Sequence, residues 1–531
     1  MLKSKNNRFY LIFVIHLIIA LGFYIENLNA NYSSLSSDLQ NIIPVAQKFD
    51  NPELFKKDLY VNDINNVKYY TPFFVQPLRF VAKFTNGDYV QVINILNTIC
   101  HLLFGILWFY LIYRFIPDFW IALIVSFVIR GIVWLPGLEI WGIADLWAMM
   151  PRTLYITLFP IPFLVINLRL NRLVISGFLI GLIFNFHPIT GLGGILLYVS
   201  FIILMFFFYK IKDLLKIKNI LIIVMALVTG MLPFIITYFG KTSSTVVYNM
   251  DAFLEAFNTR IPRLFFEPLT FLKHWLTFKT LFYVIPIVLY YLVTIKNKRE
   301  NTQARLIIIL TLILIVLPSV SVYVEQAINS LFNLNFRLSF QLIRSQKVAI
   351  IPSFFAIAFL LNYFKKKVKN KCFLPVLASV YFVILIVCKL KVFNSVPFVG
   401  DDLSRYVLPN NLSFGSNYNP GKKDSDKMAE YISVYTDQEA VLFGSHVYRA
   451  ATKRSVVLDP KGASMLIEGN PSRFIQWRKD QKRVGEAKSI KDIIAILKSL
   501  EVNYIVSRNK NYAIELTAIH TEGNISLYKI Q

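Results

Sequence analysis

The sequence predicts a mainly α fold, a polytopic bundle of about eleven transmembrane helices followed by a small extracytoplasmic α/β domain. Three observations carry this. Hydrophobic residues make up 56% of the 531 positions and charged residues only 16%, with a mean hydropathy of +0.53, which points to the bilayer as solvent. The apolar residues fall into runs close to the roughly 20 needed to cross a bilayer core. Basic residues gather in every second connection between those runs.

The runs lie at 9–25, 92–113, 119–137, 153–168, 173–186, 189–208, 219–239, 278–295, 306–324, 347–363 and 373–392. The first, after a basic start, reads as a retained anchor rather than a cleaved signal. Basic connections hold Lys3, Lys5 and Arg8, then Arg114, then Arg169 and Arg172, then Lys210 to Lys218, then Lys296 to Arg305, then Lys365 to Lys371. The positive-inside rule puts these in the cytoplasm and leaves 26–91, 138–152, 240–277, 325–346 and the chain after about 393 outside. The expected location is the plasma (inner) membrane, with the N-terminus cytoplasmic and the C-terminal domain extracytoplasmic.

The domain boundaries follow. Residues 1–393 form the bundle with its external loop 26–91, and 394–423, rich in Asn, Ser, Gly and Pro, form a linker. Residues 424–531 alternate helix and strand patterns: helices near 424–435, 472–482 and 489–500, and strands at 440–445, 455–459, 503–508 and 525–530. In this domain RFIQWRKDQKR (473–483) reads as a basic helix, either a solvated face with Phe474 and Trp477 in the core or a contact for lipid head groups or an anionic glycan.

The formal net charge of +25 is a topology signal here, because the cations sit between apolar runs; nucleic acid is not an expected partner. The three cysteines form no CxxC, and the six histidines show no HExxH. No GxGxxG, Walker loop or GxSxG is present, and no cofactor is expected from motifs. A hard divalent cation held by carboxylates leaves no spacing signature, so the metal is unknown at this level.

The segment SSDLQNIIPVAQKFDNPELFKKD (36–58) follows the first crossing and carries Asp38, Asp50, Glu53 and Asp58. Leu39, Ile42, Ile43, Ala46 and Phe49 follow helical spacing, which predicts an amphipathic helix over 38–49 near the membrane surface. Ser37 with Gln40 fits a capping box with Asp38 in the first turn, and Asn51-Pro52-Glu53 reads as the start of another short helix. Asp38 either serves only that helix start or acts as a general base on an acceptor hydroxyl. The second use needs cations for a phosphate leaving group, and Arg152, Arg260, Arg263, Arg344 and Lys347 are the external or near-external candidates. Arg130, inside the third run, is expected to face the bundle interior or a wet cavity. His187 in NFHPITG sits at an outer helix end, where an ordinary interfacial histidine is the alternative to a ligand-binding one.

The N-in first helix, the long first external loop with its early Asp38, the crossing count and the external α/β domain together resemble the GT-C superfamily of membrane glycosyltransferases. Within it, NFHPITG and YRAATKRSVVLDPKGA followed by FIQWRKDQKRV resemble an uncharacterised family of bacterial multi-pass proteins. The resemblance spans nearly the whole chain. It implies transfer of a sugar from a polyprenyl-phosphate carrier, embedded in membrane lipid, to an acceptor at the external face. It implies Asp38 as base or acceptor anchor, with Asp58, or Glu139 and Asp145, as the second acid. Arg152, Arg344, His187 and Arg130 are then the expected contacts of the lipid phosphate. Some members of the superfamily use a divalent cation. The competing reading is a transporter or non-catalytic component that handles a lipid-linked glycan, although no inverted repeat is evident.

Overall fold

The computed structural model describes residues 5–70, 72–131, 149–167, 169–209, 216–240, 247–273, 276, 280–368, 370–393, 407–415 and 421–530. Along the chain the helices are α1 (Lys5–Glu26), α2 (Ser37–Asp50), α3 (Pro72–Ala82), α4 (Tyr89–Phe115), α5 (Phe119–Gly131), α6 (Pro151–Leu158), α7 (Pro160–Val165), α8 (Leu170–Phe184), α9 (Pro188–Tyr209), α10 (Ile217–Phe239), α11 (Met250–Arg260), α12 (Pro268–Lys273), α13 (Leu281–Thr294), α14 (Lys298–Phe332), α15 (Ser339–Ile343), α16 (Ile351–Val368) and α17 (Phe373–Val387). After the 394–423 segment come α18 (Asp424–Tyr435), β1 (Val441–Phe443), α19 (Val447–Thr452), β2 (Ser455–Val457), α20 (Pro460–Gly469), α21 (Pro471–Gly485), α22 (Ile490–Ser499), β3 (Tyr504–Ser507), β4 (Ala518–Glu522) and β5 (Ile525–Lys529).

Each of the eleven expected apolar runs is helical over most of its described residues. Among the described residues, six helical segments are long and apolar enough to cross a membrane, and the other five runs correspond to shorter apolar helices at 119–130, 151–165, 170–184, 281–294 and 373–387. The fold class is therefore the expected one, a helical bundle with a small sheet near the C-terminus.

Two compact units divide the chain. The first comprises Met1–Glu26, Ile95–Pro233 and Arg263–Tyr418; the second comprises Asn27–Asn94, Phe234–Pro262 and Asn419–Gln531. In the first unit α9, α14, α16 and the 3₁₀ turn Arg344–Ile350 pack together, with α13 against α16. Trp108 of α4 is fully buried and donates its indole N–H to the Ile156 carbonyl at 3.2 Å. Gly181 of α8 and Gly230 of α10 let backbones touch where any side chain would collide. Over the rest of its length α10 keeps an apolar and mostly exposed surface, including Leu221, Val224, Met225 and Leu232, as a helix whose solvent is lipid does.

The second unit is built around α2. Every residue from Leu39 to Lys48 is buried, against α3, α19 and α20. This overturns the expected membrane-surface helix: the apolar face is covered by protein, and even the polar Asn41 and Gln47 bond to the carbonyls of Lys461 (3.2 Å) and Ala450 (3.0 Å). The cap also moves by one residue. Ser36, not Ser37, accepts the Leu39 amide, while Gln40 turns away to the Tyr32 and Leu35 carbonyls. Asp38 keeps its place in the first turn. Asn51-Pro52-Glu53 forms turns instead of starting a helix, and buried Lys48 donates to the Leu54 carbonyl there at 2.7 Å.

The sheet runs β2-β1-β3-β5-β4. β1 is parallel to β2 and β3, while β3–β5 and β5–β4 are antiparallel. Apolar clusters cover both faces, one around Met428, Leu442 and Leu527, the other around Leu497, Val502 and Ile505. The expected strands and three expected helices are present within one or two residues at most ends; α19, α20 and β4 were not anticipated. Phe474 and Trp477 of the basic helix α21 are buried, with Phe474 against Phe253 of α11.

Candidate functional site

In the first unit, the start of α9 brings together Arg152, Arg344 and His187, three of the four residues expected to contact a lipid phosphate; the fourth, Arg130, has other partners. Close approach makes this possible. Gly193 lies under the Ser345 carbonyl, and Gly194 lies under the Tyr155 hydroxyl, so a Cβ at either would collide. The two glycines thus draw the turn Arg344–Ile350 and helix α6 onto α9. His187, just before α9, then feels the charges of Lys347, Arg152 and Arg344. Burial first, and those three cations next, hold its imidazole well below the ordinary value of 6.5. Its Nδ1 accepts the Thr190 amide at 3.1 Å, which puts the proton of the neutral ring on Nε2.

The cations are held in place. Arg152 is buried and donates to the Met150 sulfur at 3.0 Å. Arg344 donates to the Gln341 side chain at 3.1 Å and stacks over Phe265 at 5.3 Å. Lys347, at 4% exposure, belongs to the cluster although the sequence reading ranked it below the arginines. Nothing in its spacing marked it, because the 3₁₀ turn that swings it to His187 is set by contacts with α9 and α14.

Beyond the cations, the same elements line an apolar cavity of about 200 Å³. Phe159 and Phe163 follow Arg152 on α6 and α7, Leu197 and Phe201 follow His187 on α9, and Ile351 and Phe355 follow Lys347 on α16. The rise from His187 to Leu197 is about 15 Å. A cationic surface and an apolar one thus follow each other in series.

Arg130 keeps different company. It is fully buried, and its guanidinium meets His101 Nδ1 at 3.0 Å, the His101 carbonyl at 2.7 Å and His16 Nδ1 at 3.2 Å. Gly105 leaves the space that His16 fills. This knot joins α1, α4 and α5 in the bundle interior.

In the second unit the two aspartates have distinct surroundings. Asp58 is fully buried; Oδ2 accepts Arg449 Nε (2.8 Å) and the Val456 amide (2.9 Å), and Oδ1 accepts the Tyr60 and Val61 amides (2.9 and 3.2 Å). Four donors on a sealed carboxylate make an anchor, with no lone pair turned towards a substrate. Arg449 also bonds Asp459 Oδ2 at 2.8 Å and lies over the Tyr60 ring at 4.7 Å. Burial would lower the guanidinium's affinity for its proton, but Asp58 and Asp459 more than offset that and raise it. Asp459 caps α20 through the Lys461 and Gly462 amides. Asp38 is different: its side chain is 29% exposed, and Oδ1 meets Lys461 Nζ at 2.7 Å. Glu139 and Asp145 lie outside the described residues. Among the described residues, no group of three or more His, Cys, Asp or Glu side chains is arranged to hold a metal.

Neither a protein-family model nor a curated protein matches the chain in sequence. In structure it is similar to ArnT from Cupriavidus metallidurans, solved bound to undecaprenyl phosphate, with a TM-score of 0.51 over 99% of both chains at 12% identity. The chain thus shares the fold of that protein, and among the described residues six of its helical segments are long and apolar enough to cross a membrane.

Proposed function

We propose that the protein is a GT-C-type glycosyltransferase of the plasma membrane, which moves a sugar from a polyprenyl-phosphate carrier to an acceptor hydroxyl at the external face. The observation that carries the reading is the series of Arg152, Arg344, Lys347 and His187 followed by the apolar cavity. A polyprenyl phosphate has this same division into an anionic head and an apolar tail, and ArnT, similar in fold, was solved with such a lipid.

In the proposed reaction the acceptor oxygen bonds to the anomeric carbon as that carbon's bond to the phosphate oxygen breaks. The departing phosphate gains negative charge, which the three cations stabilise. Neutral His187 offers its Nε2–H as a further donor. Asp38 takes the acceptor proton; of the two expected acids it is the one with exposed surface, while Asp58 anchors Arg449. A divalent cation, if the enzyme takes one, would add to the same charge neutralisation. The N-terminus is cytoplasmic in this reading, as the distribution of lysines and arginines requires.

The test is sugar transfer in membranes of a deletion strain re-expressing the protein. Wild type restores transfer, and an Asp38→Asn chain that inserts normally does not. Transfer unchanged by Asp38→Asn rejects the base assignment. The transport alternative also suits a lipid-binding cavity, and the same strain separates the two. Lipid-linked sugar left untransferred on the outer leaflet marks the enzyme, whereas sugar trapped on the inner leaflet marks a transporter.

A further inference from the structure

Helix α3 in the second unit is apolar on two sides, and α2 covers one of them. Phe74, Val75, Leu78 and Ala82 are buried, and α3 packs against α2. The other side carries Phe80, 62% exposed, and the turn that follows carries Phe84, 75% exposed. Their rings meet edge to face with centroids 5.5 Å apart. Lys83, between them in sequence, is exposed as well. Single apolar side chains at a surface are ordinary, but a pair of phenylalanines held together there marks a contact surface.

The position of the pair says what covers it. Helix α4 is long and apolar enough to cross a membrane, and it starts at Tyr89, an aromatic residue of the kind that sits at the head-group level. From Phe84 the chain reaches Tyr89 in five steps, at most about 18 Å. The connection is tighter than that limit, since Asn86 and Gly87 take positive φ and the Gly87 amide donates to the Ala82 carbonyl at 3.0 Å. Asp88 then caps α4, its Oδ1 accepting the Val90 amide at 2.9 Å. One carboxylate ties the two helices directly. Asp50, the last residue of α2, accepts Arg79 Nε of α3 on Oδ1 at 2.6 Å and the Tyr89 hydroxyl of α4 on Oδ2. Arg79 also lies over the Phe49 ring at 5.1 Å. Helix α3 is therefore held beside the first turn of α4.

We propose that α3 is an interfacial helix that docks on the lipid surface of the leaflet α4 enters, with Phe80 and Phe84 among the acyl chains. Aromatic side chains on the apolar face and a lysine at its border are what such a surface takes up. Lys83 runs its methylenes along the acyl boundary and leaves its ammonium among the lipid phosphates. The surface role that the sequence suggests for α2 thus falls to the next helix. Because α2 packs on α3, the lipid contact sets the height of α2, and of Asp38 on it, above the bilayer. The inference does not rest on the transfer reaction; it needs only that α4 crosses the membrane.

The experiment uses the full-length protein in lipid nanodiscs. Cys372, the exposed one of the three native thiols, is replaced by Ser, and a nitroxide is attached at Phe80→Cys or Phe84→Cys. Ile99→Cys on the exposed side of α4 serves as the lipid control, and Lys488→Cys on the α/β segment as the water control. Labels at 80 and 84 are expected to follow Ile99, colliding more with oxygen than with a water-soluble nickel chelate, and Lys488 is expected to show the reverse. Labels at 80 and 84 that follow Lys488 overturn the proposal. Labels shielded from both reagents also overturn it, because protein, such as a second copy of the chain, then covers the pair. A label at Ile99 that meets the chelate removes the crossing of α4 and the proposal with it. The unsubstituted protein supplies an independent readout, in nanodiscs containing a phospholipid with a photoactivatable diazirine in its acyl chain. Adducts are expected on the peptide that holds Phe80 and Phe84; adducts on α4 with none on that peptide overturn the proposal.

Discussion

Arg449 and Asp58 lie 391 residues apart in sequence and meet at 2.8 Å with neither side chain exposed. With Asp459 on its other side, Arg449 joins the segment after the first crossing to the C-terminal sheet. Replacing it by Met leaves two buried carboxylates without their cation. The expected cost is about 3–5 kcal/mol, read by hydrogen exchange as loss of protection over residues 441–470 and 58–61, with the bundle helices unchanged.

The acid stability of the same unit follows from Asp459. Burial alone would raise its pKa, but the pair with Arg449 prevails and holds the carboxyl below its ordinary 3.8. A depressed carboxylate contributes stability that is complete above its unfolded value and is lost as pH falls through the lower folded one. Protection over 441–470 is therefore expected to hold from neutral pH down to about 4 and to fail only below. In Arg449→Met the loss begins at higher pH, because the strongest group that opposes the effect of burial is then gone.

The proposed phosphate site makes a binding prediction. Arg344→Gln and Lys347→Met are each expected to weaken undecaprenyl phosphate about 10-fold or more, as loss of a charge-assisted hydrogen bond does. Native mass spectrometry or calorimetry with that lipid measures it. Arg130→Gln, whose partners are His16 and His101, is expected to leave affinity unchanged in whatever fraction folds.

Tail recognition is testable separately. Leu197→Trp and Phe201→Trp are expected to fill the cavity and weaken a long polyprenyl phosphate while sparing a short-chain one such as geranyl phosphate. Equal loss for both lipids places the tail elsewhere.

Gly194→Val tests how the site is assembled. The added side chain meets the Tyr155 hydroxyl and is expected to cost about 1–3 kcal/mol through overpacking. It also pushes α6, and Arg152 with it, from α9. Binding of undecaprenyl phosphate is expected to drop although no charge has changed.

The helices were legible because burial in lipid demands long apolar runs, and the basic connections supplied a second, independent signal. What could not be read was set by contacts distant in sequence. Helix α2 has the pattern of a membrane-surface helix, but Asn41 and Gln47 find their partners more than 400 residues later. Helices α19 and α20 are short and interrupted by strand-like or glycine-containing sequence, so local periodicity is weak. Asp38 and Asp58 look alike in the sequence, and only Arg449 and Lys461 tell them apart. Lys347 carried no spacing signal, since it acquires its neighbours through a turn that other elements hold in place.

The knot of Arg130, His16 and His101 bears on how the chain is made. A lone guanidinium on α5 costs about 2.5–3.5 kcal/mol to place mid-bilayer, and its two imidazoles arrive earlier, on α1 and α4. Integration of α5 into the nascent membrane protein should thus wait upon those earlier spans lingering beside the translocon. Chains lacking both rings should stall there and be degraded young, however well the rest of the bundle would pack.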